Sequence, residues 1–115
     1  MIIKFEEVKH SDISPGVHRV HYLDRDTGAG CVSMGTMELA PHTGLAMHRH
    51  LVEDAMYVIE GTGTLVVDGE ESTVSAGMVL LIPAGHAHCI RNDSEQVFKV
   101  VYTYPAVNVE RILEH

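Results

Sequence analysis

A chain of 115 residues leaves room for one compact domain, at roughly 150 residues per domain, and with 45% hydrophobic residues it can build one modest core without disulfide staples. Sixteen acidic side chains against eight basic ones give a formal charge of −8, which repels phosphate backbones and anionic membrane surfaces, so neither nucleic acid nor a membrane is an expected partner. Nine histidines are the compositional excess that needs a chemical reason.

The start, Met1-Ile2-Ile3-Lys4-Phe5-Glu6-Glu7, has no basic stretch followed by an apolar run, and the longest clean apolar run, Met78 to Ile82, is far too short for a bilayer. Val17 to Leu23 reads as a strand, and the turn-rich Asp24-Arg25-Asp26-Thr27-Gly28-Ala29-Gly30 connects it to a strand from about Cys31 to Leu39. Gly61 to Val67, the pair Asp68-Gly69 and Glu71 to Ser75 form the clearest hairpin signal. Met78 to Ile82 is continuously apolar, which predicts cover on both faces. Val97 to Tyr104 is a strand ended by Pro105, and Val107 to Leu113 is either a last strand or a short helix. Short strands with a turn every 8 to 12 residues point to an all-β sandwich or barrel. Cys31 and Cys89 match no CxxC spacing, so two reduced thiols in the cytoplasm are expected. His115 closes a Leu113-Glu114-His115 tail that is native or the start of an expression scar, and it is kept out of the chemistry.

In His48-Arg49-His50 a period of two puts both imidazoles on one face and Arg49 on the other. Asp54 follows at the same parity, Glu53 at the opposite one, and His88 comes later in Pro83-Ala84-Gly85-His86-Ala87-His88. Three neutral imidazoles and a carboxylate suit a divalent transition metal. Taken alone, an HxH pair in a strand is more often two ordinary surface histidines.

The wider spacing supplies the missing specificity. Gly77, five residues, Pro83, one residue, Gly85, two residues, His88, three residues and Asn92 together resemble the second motif of the cupin family. His48, His50, Asp54 and Gly61 resemble its first motif, with Thr62 to Ala76 between the two. The first motif runs over about 42–61 and the second over 77–92, in one domain spanning 1–115. The resemblance implies an antiparallel jelly-roll β-barrel holding one divalent transition metal ion (Fe, Mn, Zn or Ni) on His48, His50 and His88. Two positions depart from the pattern. The family's usual glutamate is Asp54 here, so the fourth ligand is Asp54 directly, Asp54 through a water, or Glu53 if the backbone between His50 and Asp54 bulges. His42 stands where the first motif's leading glycine would be, as a loop residue or an extra pocket group. Asn92 reads as a side-chain-to-backbone residue rather than a ligand.

If Asp54 faces the metal, Met56 and Val58 share its side, and Phe98, Val100, Tyr102 and Tyr104 form the apolar face of the last long strand. The expected substrate pocket is therefore Met56, Val58, Phe98, Val100 and Tyr102. Acid/base candidates are His86, whose plain reading is an exposed turn histidine, and Tyr57, whose parity turns it toward another layer or a partner. Arg49 and Arg91 are out of phase with the ligands. No phosphate clamp is visible, which favours a neutral or singly acidic substrate gripped by the metal. The resemblance implies a metal-dependent enzyme of dioxygenase, isomerase or decarboxylase type, dioxygenase first, on a small oxygenated molecule. The alternative is a non-catalytic cupin that binds or senses a sugar or carboxylate. An open-edged barrel of this size is expected to pair as a homodimer.

Overall fold

Alternate residues turn inward along the longer strands, most regularly in the segments 33–39 and 98–104. The computed structural model describes residues 1–114, so His115 lies outside the described residues. A 3-10 turn (Phe5–Glu7) precedes β1 (Lys9–Ser14), β2 (Val17–Leu23), β3 (Ser33–Leu39), β4 (Thr43–Gly44), β5 (His48–Arg49), β6 (Asp54–Glu60), β7 (Thr62–Val67), β8 (Glu70–Ser75), β9 (Val79–Ile82), β10 (His88–Asn92), β11 (Phe98–Tyr104) and β12 (Ile112–Leu113). One six-stranded sheet runs β1-β2-β3-β11-β6-β9; the other runs β12-β5-β10-β7-β8, with β4 also against β10. A core drawn from both sheets, including Leu39, Phe98 and Val100 from the first and Val74 and Ile90 from the second, fills the space between them. The architecture is the expected antiparallel jelly roll, but no ladder joins the two sheets among the described residues, so the barrel is open.

Three segments differ from the sequence reading. Lys9–Ser14 pairs with β2, although its polar composition gave no strand signal. Of Val107 to Leu113 only Ile112–Leu113 pairs, against β5. Met78 to Ile82 is covered on one face only: Leu80 and Ile82 are buried while Val79 is 70% and Leu81 61% exposed, because only the inner face of this sheet packs on the core. Among the described residues no helix is long and apolar enough to cross a membrane.

Cross-strand register layers the inner face of the first sheet, since residues directly opposite in an antiparallel ladder share a face. Val17 lies opposite Leu39 and Leu39 opposite Phe98; in the next row Arg19, Met37, Val100 and Val58 align. Above these come His21, Gly35, Tyr102 and Met56, and then Ser33 and Tyr104, with Asp54 opposite Ile82 on the neighbouring pair. The inner face thus grades from purely apolar at one end to polar at the other, and the polar end is where the functional groups collect.

Two backbone positions hold this arrangement. Gly61 has φ 83, and a Cβ there would run into the Val97 carbonyl, so the corner between β6 and β7 tolerates no side chain. His42 has φ 58 and pairs through Nε2 with Glu95 Oε1 at 2.5 Å on the surface. A left-handed backbone is what glycine provides at no steric cost, which accounts for a glycine at this place in the family pattern and makes His42 a loop residue.

Candidate metal centre

His48 and His88 face each other across the β5–β10 ladder, which brings their ring centroids to 4.4 Å. His50 follows His48 at strand parity and reaches the same point, its ring 5.0 Å from that of His48 and 5.4 Å from that of His88. All three are buried, and one ligand nitrogen from each lies within 4.8 Å of the others. The backbone decides which nitrogen that is. His48 Nδ1 donates to the Ala46 carbonyl at 2.7 Å, His50 Nδ1 to Glu110 at 2.8 Å and His88 Nδ1 to His86 at 2.9 Å. A carbonyl only accepts, so each Nδ1 carries the proton and each Nε2 presents a lone pair to the cavity. The turn of the second motif supports the arrangement directly, because Gly85, at φ 82, sends its N–H to the His50 carbonyl at 2.7 Å.

Asp54, buried at the start of β6, places Oδ2 3.4 Å from His88 Nε2 and 3.8 Å from His50 Nε2. His88 Nε2 and Asp54 Oδ1 are both buried without a hydrogen-bond partner. Orphaned lone pairs on two neighbouring groups are costly unless something electropositive shares them, and three neutral imidazoles beside one carboxylate fit a divalent cation. Burial lowers His48 to about 4 and also lowers His50, which keeps both neutral as ligation requires. Burial pulls His88 down as well, but the Asp54 carboxylate and the His86 carbonyl outweigh it and hold this ring above its ordinary value.

The free space in front of the imidazoles is about 20 Å³, room for little more than one water-sized particle. Ile13, Met37, Leu45, Met56 and Ile90 form its apolar wall, and Arg19, Tyr102, Tyr104 and Arg111 complete it. Tyr104 donates its hydroxyl to His50 Nε2 at 3.3 Å, and burial, with Asp54 nearby, pushes the phenol up, so it stays protonated. A second cavity of about 170 Å³ adjoins the first and shares Arg19, Tyr102 and Tyr104 with it.

The cupin domain family model matches residues 35–104. The chain is a cupin. It is 30% identical over 101 residues to the tetracenomycin polyketide synthase protein TcmJ of Streptomyces glaucescens, a match covering 87% of this chain and 68% of the relative. Its fold is similar to that of the polyketide cyclase RemF from Streptomyces resistomycificus, with TM-score 0.81 and 21% identity over 100% of this chain and 87% of that one. It is similar too to a predicted oxalate decarboxylase from Thermotoga maritima, with TM-score 0.80 and 21% identity over 92% and 99% of the two chains.

Within this cupin the residues singled out from sequence separate clearly. His48, His50, His88 and Asp54 meet at one point, and Met56 and Tyr102 line the cavity beside them. Val58, Phe98 and Val100 do not line it; they point to the same side but sit in the deeper rows of the core. Glu53 is exposed, one residue out of phase. Tyr57 is exposed on the outer face, and His86 binds Asp68 Oδ2 at 2.6 Å at the surface, so neither side chain reaches the cavity. His86 takes part only through the carbonyl that orients His88. Sequence reasoning missed Tyr104 as a polar group at the triad and missed Arg19 and Arg111 altogether. The signal for Arg19 was its place opposite Met37, which only long-range register reveals.

Proposed function

We propose that this cupin is a metal-dependent enzyme acting on a small oxygenated organic molecule, of dioxygenase, isomerase or decarboxylase type. His48, His50 and His88 hold one divalent transition ion, Fe, Mn, Zn or Ni, and Asp54 is the fourth ligand. The observation that carries this reading is the set of three buried Nε2 lone pairs, each fixed by an Nδ1–H bond to a backbone carbonyl. A bound ion there supplies Lewis-acid polarisation or activates dioxygen. The chain's own part is to exclude water with the wall of Met37, Met56 and Ile90 and to keep a protonated hydroxyl, Tyr104, beside the triad. The names of TcmJ, a polyketide synthase protein, and RemF, a polyketide cyclase, favour a second reading, chemistry on a polyketide, but the free space of about 20 Å³ and 170 Å³ suits a small molecule better than a long chain. Oxygen uptake by the metal-loaded protein across diketones, catechols, thiols and flavonols is the test. Turnover of one class is expected, and a null across the panel with metal in place moves the site to non-oxidative chemistry or to binding without turnover.

The reading includes a cytoplasmic setting, which suits free Cys31 and Cys89, and a homodimer. On the outer face Tyr57 lies opposite Val79 and Ala55 opposite Leu81, and Tyr57, Ile59, Val79 and Leu81 are all exposed. An apolar stripe on an edge strand is a natural seat for a second copy. Leu81→Asp should raise the dimer dissociation constant roughly tenfold or more, read by sedimentation equilibrium. A wild-type protein that is monomeric at high concentration would remove the dimer.

A further inference from the structure

Arg19 is an arginine on the inner face of a sheet whose other inward residues in the same row are Met37, Val100 and Val58. Its Nε is buried with no hydrogen-bond partner among the described residues, and its guanidinium carbon sits 4.4 Å from the centre of the Tyr102 ring. Arg19 as a whole is half-buried, but a buried Nε–H with no acceptor is costly, and such a group persists where something outside the fold supplies the acceptor. Its position says where that acceptor lies: Arg19 lines both the space in front of the imidazoles and the adjoining cavity of about 170 Å³. Charge points the same way. Arg19 and Arg111 line the first space against the single carboxylate of Asp54, so guanidinium groups outnumber carboxylates there.

We propose that Arg19 is the anion-binding group of this site, and that the molecule taken up is a small organic monocarboxylate whose carboxylate pairs with the Arg19 guanidinium. The planar fork of arginine matches a carboxylate. Tyr102 holds that fork by stacking, and the body of the ligand occupies the adjoining cavity, with Leu23, Val107 and Val109 as its apolar lining. The ligand end nearest Tyr104 then faces the imidazole triad. The inference rests on the proposed metal-enzyme reading only for the chemistry that comes after binding; the anion subsite itself needs no metal.

The test uses benzoate and its neutral isostere benzamide, titrated calorimetrically into protein stripped of metal, with metal content of the untreated protein measured separately. Benzoate is expected to bind at least about tenfold more tightly than benzamide, the scale of one charge-assisted hydrogen bond. Arg19→Met is expected to remove that preference while leaving the metal content unchanged. Circular dichroism checks that the variant folds, and Arg19→Gln replaces it if it does not. Equal binding of the two probes to wild type, or a preference that survives in the variant, overturns the proposal. Absence of metal from the untreated protein would sink the metal-enzyme reading instead and leave this comparison intact.

Discussion

His88→Ala is expected to reduce metal affinity by more than about a hundredfold, beyond the roughly 10–100-fold that loss of an outer partner costs a metal site. His88 stands next to each of the other three groups: opposite His48 in the ladder, 5.4 Å from His50 by ring centroid and 3.4 Å from Asp54 through Nε2. Its removal leaves two imidazoles and a carboxylate, a set one imidazole short. Asp54→Ala should be milder, roughly 10–100-fold, because the triad survives and a water can fill a position that a short side chain reaches only by its tip. Two readouts check this. Metal analysis of protein purified without chelator gives occupancy, and the difference in melting with and without saturating metal gives affinity, since ligand at a hundred times its dissociation constant adds about 2.7 kcal/mol. A His88→Ala protein that keeps its metal and its metal-dependent stabilisation would overturn the ligand assignment. If Asp54→Ala proves the worse of the two, the carboxylate and not the triad would be the anchor of the site.

The elements of this site that were legible in the sequence are those fixed by local spacing. A step of two residues between imidazoles in extended chain gives a shared face, and the four-residue step from His88 to Asn92 is one short strand, β10, with both ends turned inward. Parity already favoured Asp54, with Glu53 open only if the backbone between His50 and Asp54 bulged; Asp54 is buried at the start of β6 and Glu53 is exposed. What was illegible came from register and from the tail. Arg19 reaches the site through a pairing of β2 with β3 and of β3 with β11, relations between residues distant in sequence. The tail carries no periodic pattern, yet Glu110 supplies the carbonyl that orients His50, Arg111 lines the cavity, and Glu114 pairs with Arg49 at 3.0 Å. The pocket expectation failed for a related reason: alternation says which side Val58, Phe98 and Val100 take, but not how deep each row lies. Arg19 and Arg111, which line the space, lie outside both motifs, so motif spacing does not point to them.

The largest loss of stability from one side chain is expected at Asn92, which is fully buried at 0% exposure. Its Nδ2 donates to the carbonyls of Leu39 at 3.0 Å, Ala40 at 3.2 Å and Gln96 at 2.7 Å, and its Oδ1 accepts from the Ser94 N–H at 3.0 Å and the Ser94 hydroxyl at 2.7 Å. One amide therefore closes the ends of β3, β10 and the loop into β11 together. Asn92→Ala leaves several of these backbone groups buried and unmet at about 1–3 kcal/mol each. With partial relief by water the loss should be about 3–5 kcal/mol, a large share of the 5–15 kcal/mol typical of a domain, or a melting temperature lower by roughly 15 °C. Asn92→Asp keeps the shape and the Ser94 bonds but turns a donor into an acceptor facing carbonyl oxygens. Such a carboxyl would have a folded pKa above its unfolded value of about 3.9, so its stability falls as pH rises through that window, and the variant should be weaker at pH 7 than at pH 4. Chemical denaturation at both pH values reads each effect. The metal content of the folded fraction should not change in either variant, because Asn92 holds the far end of the strand that carries His88. A loss below about 1 kcal/mol in Asn92→Ala would mean that water replaces the amide at little cost, and that the strand ends are held by packing alone.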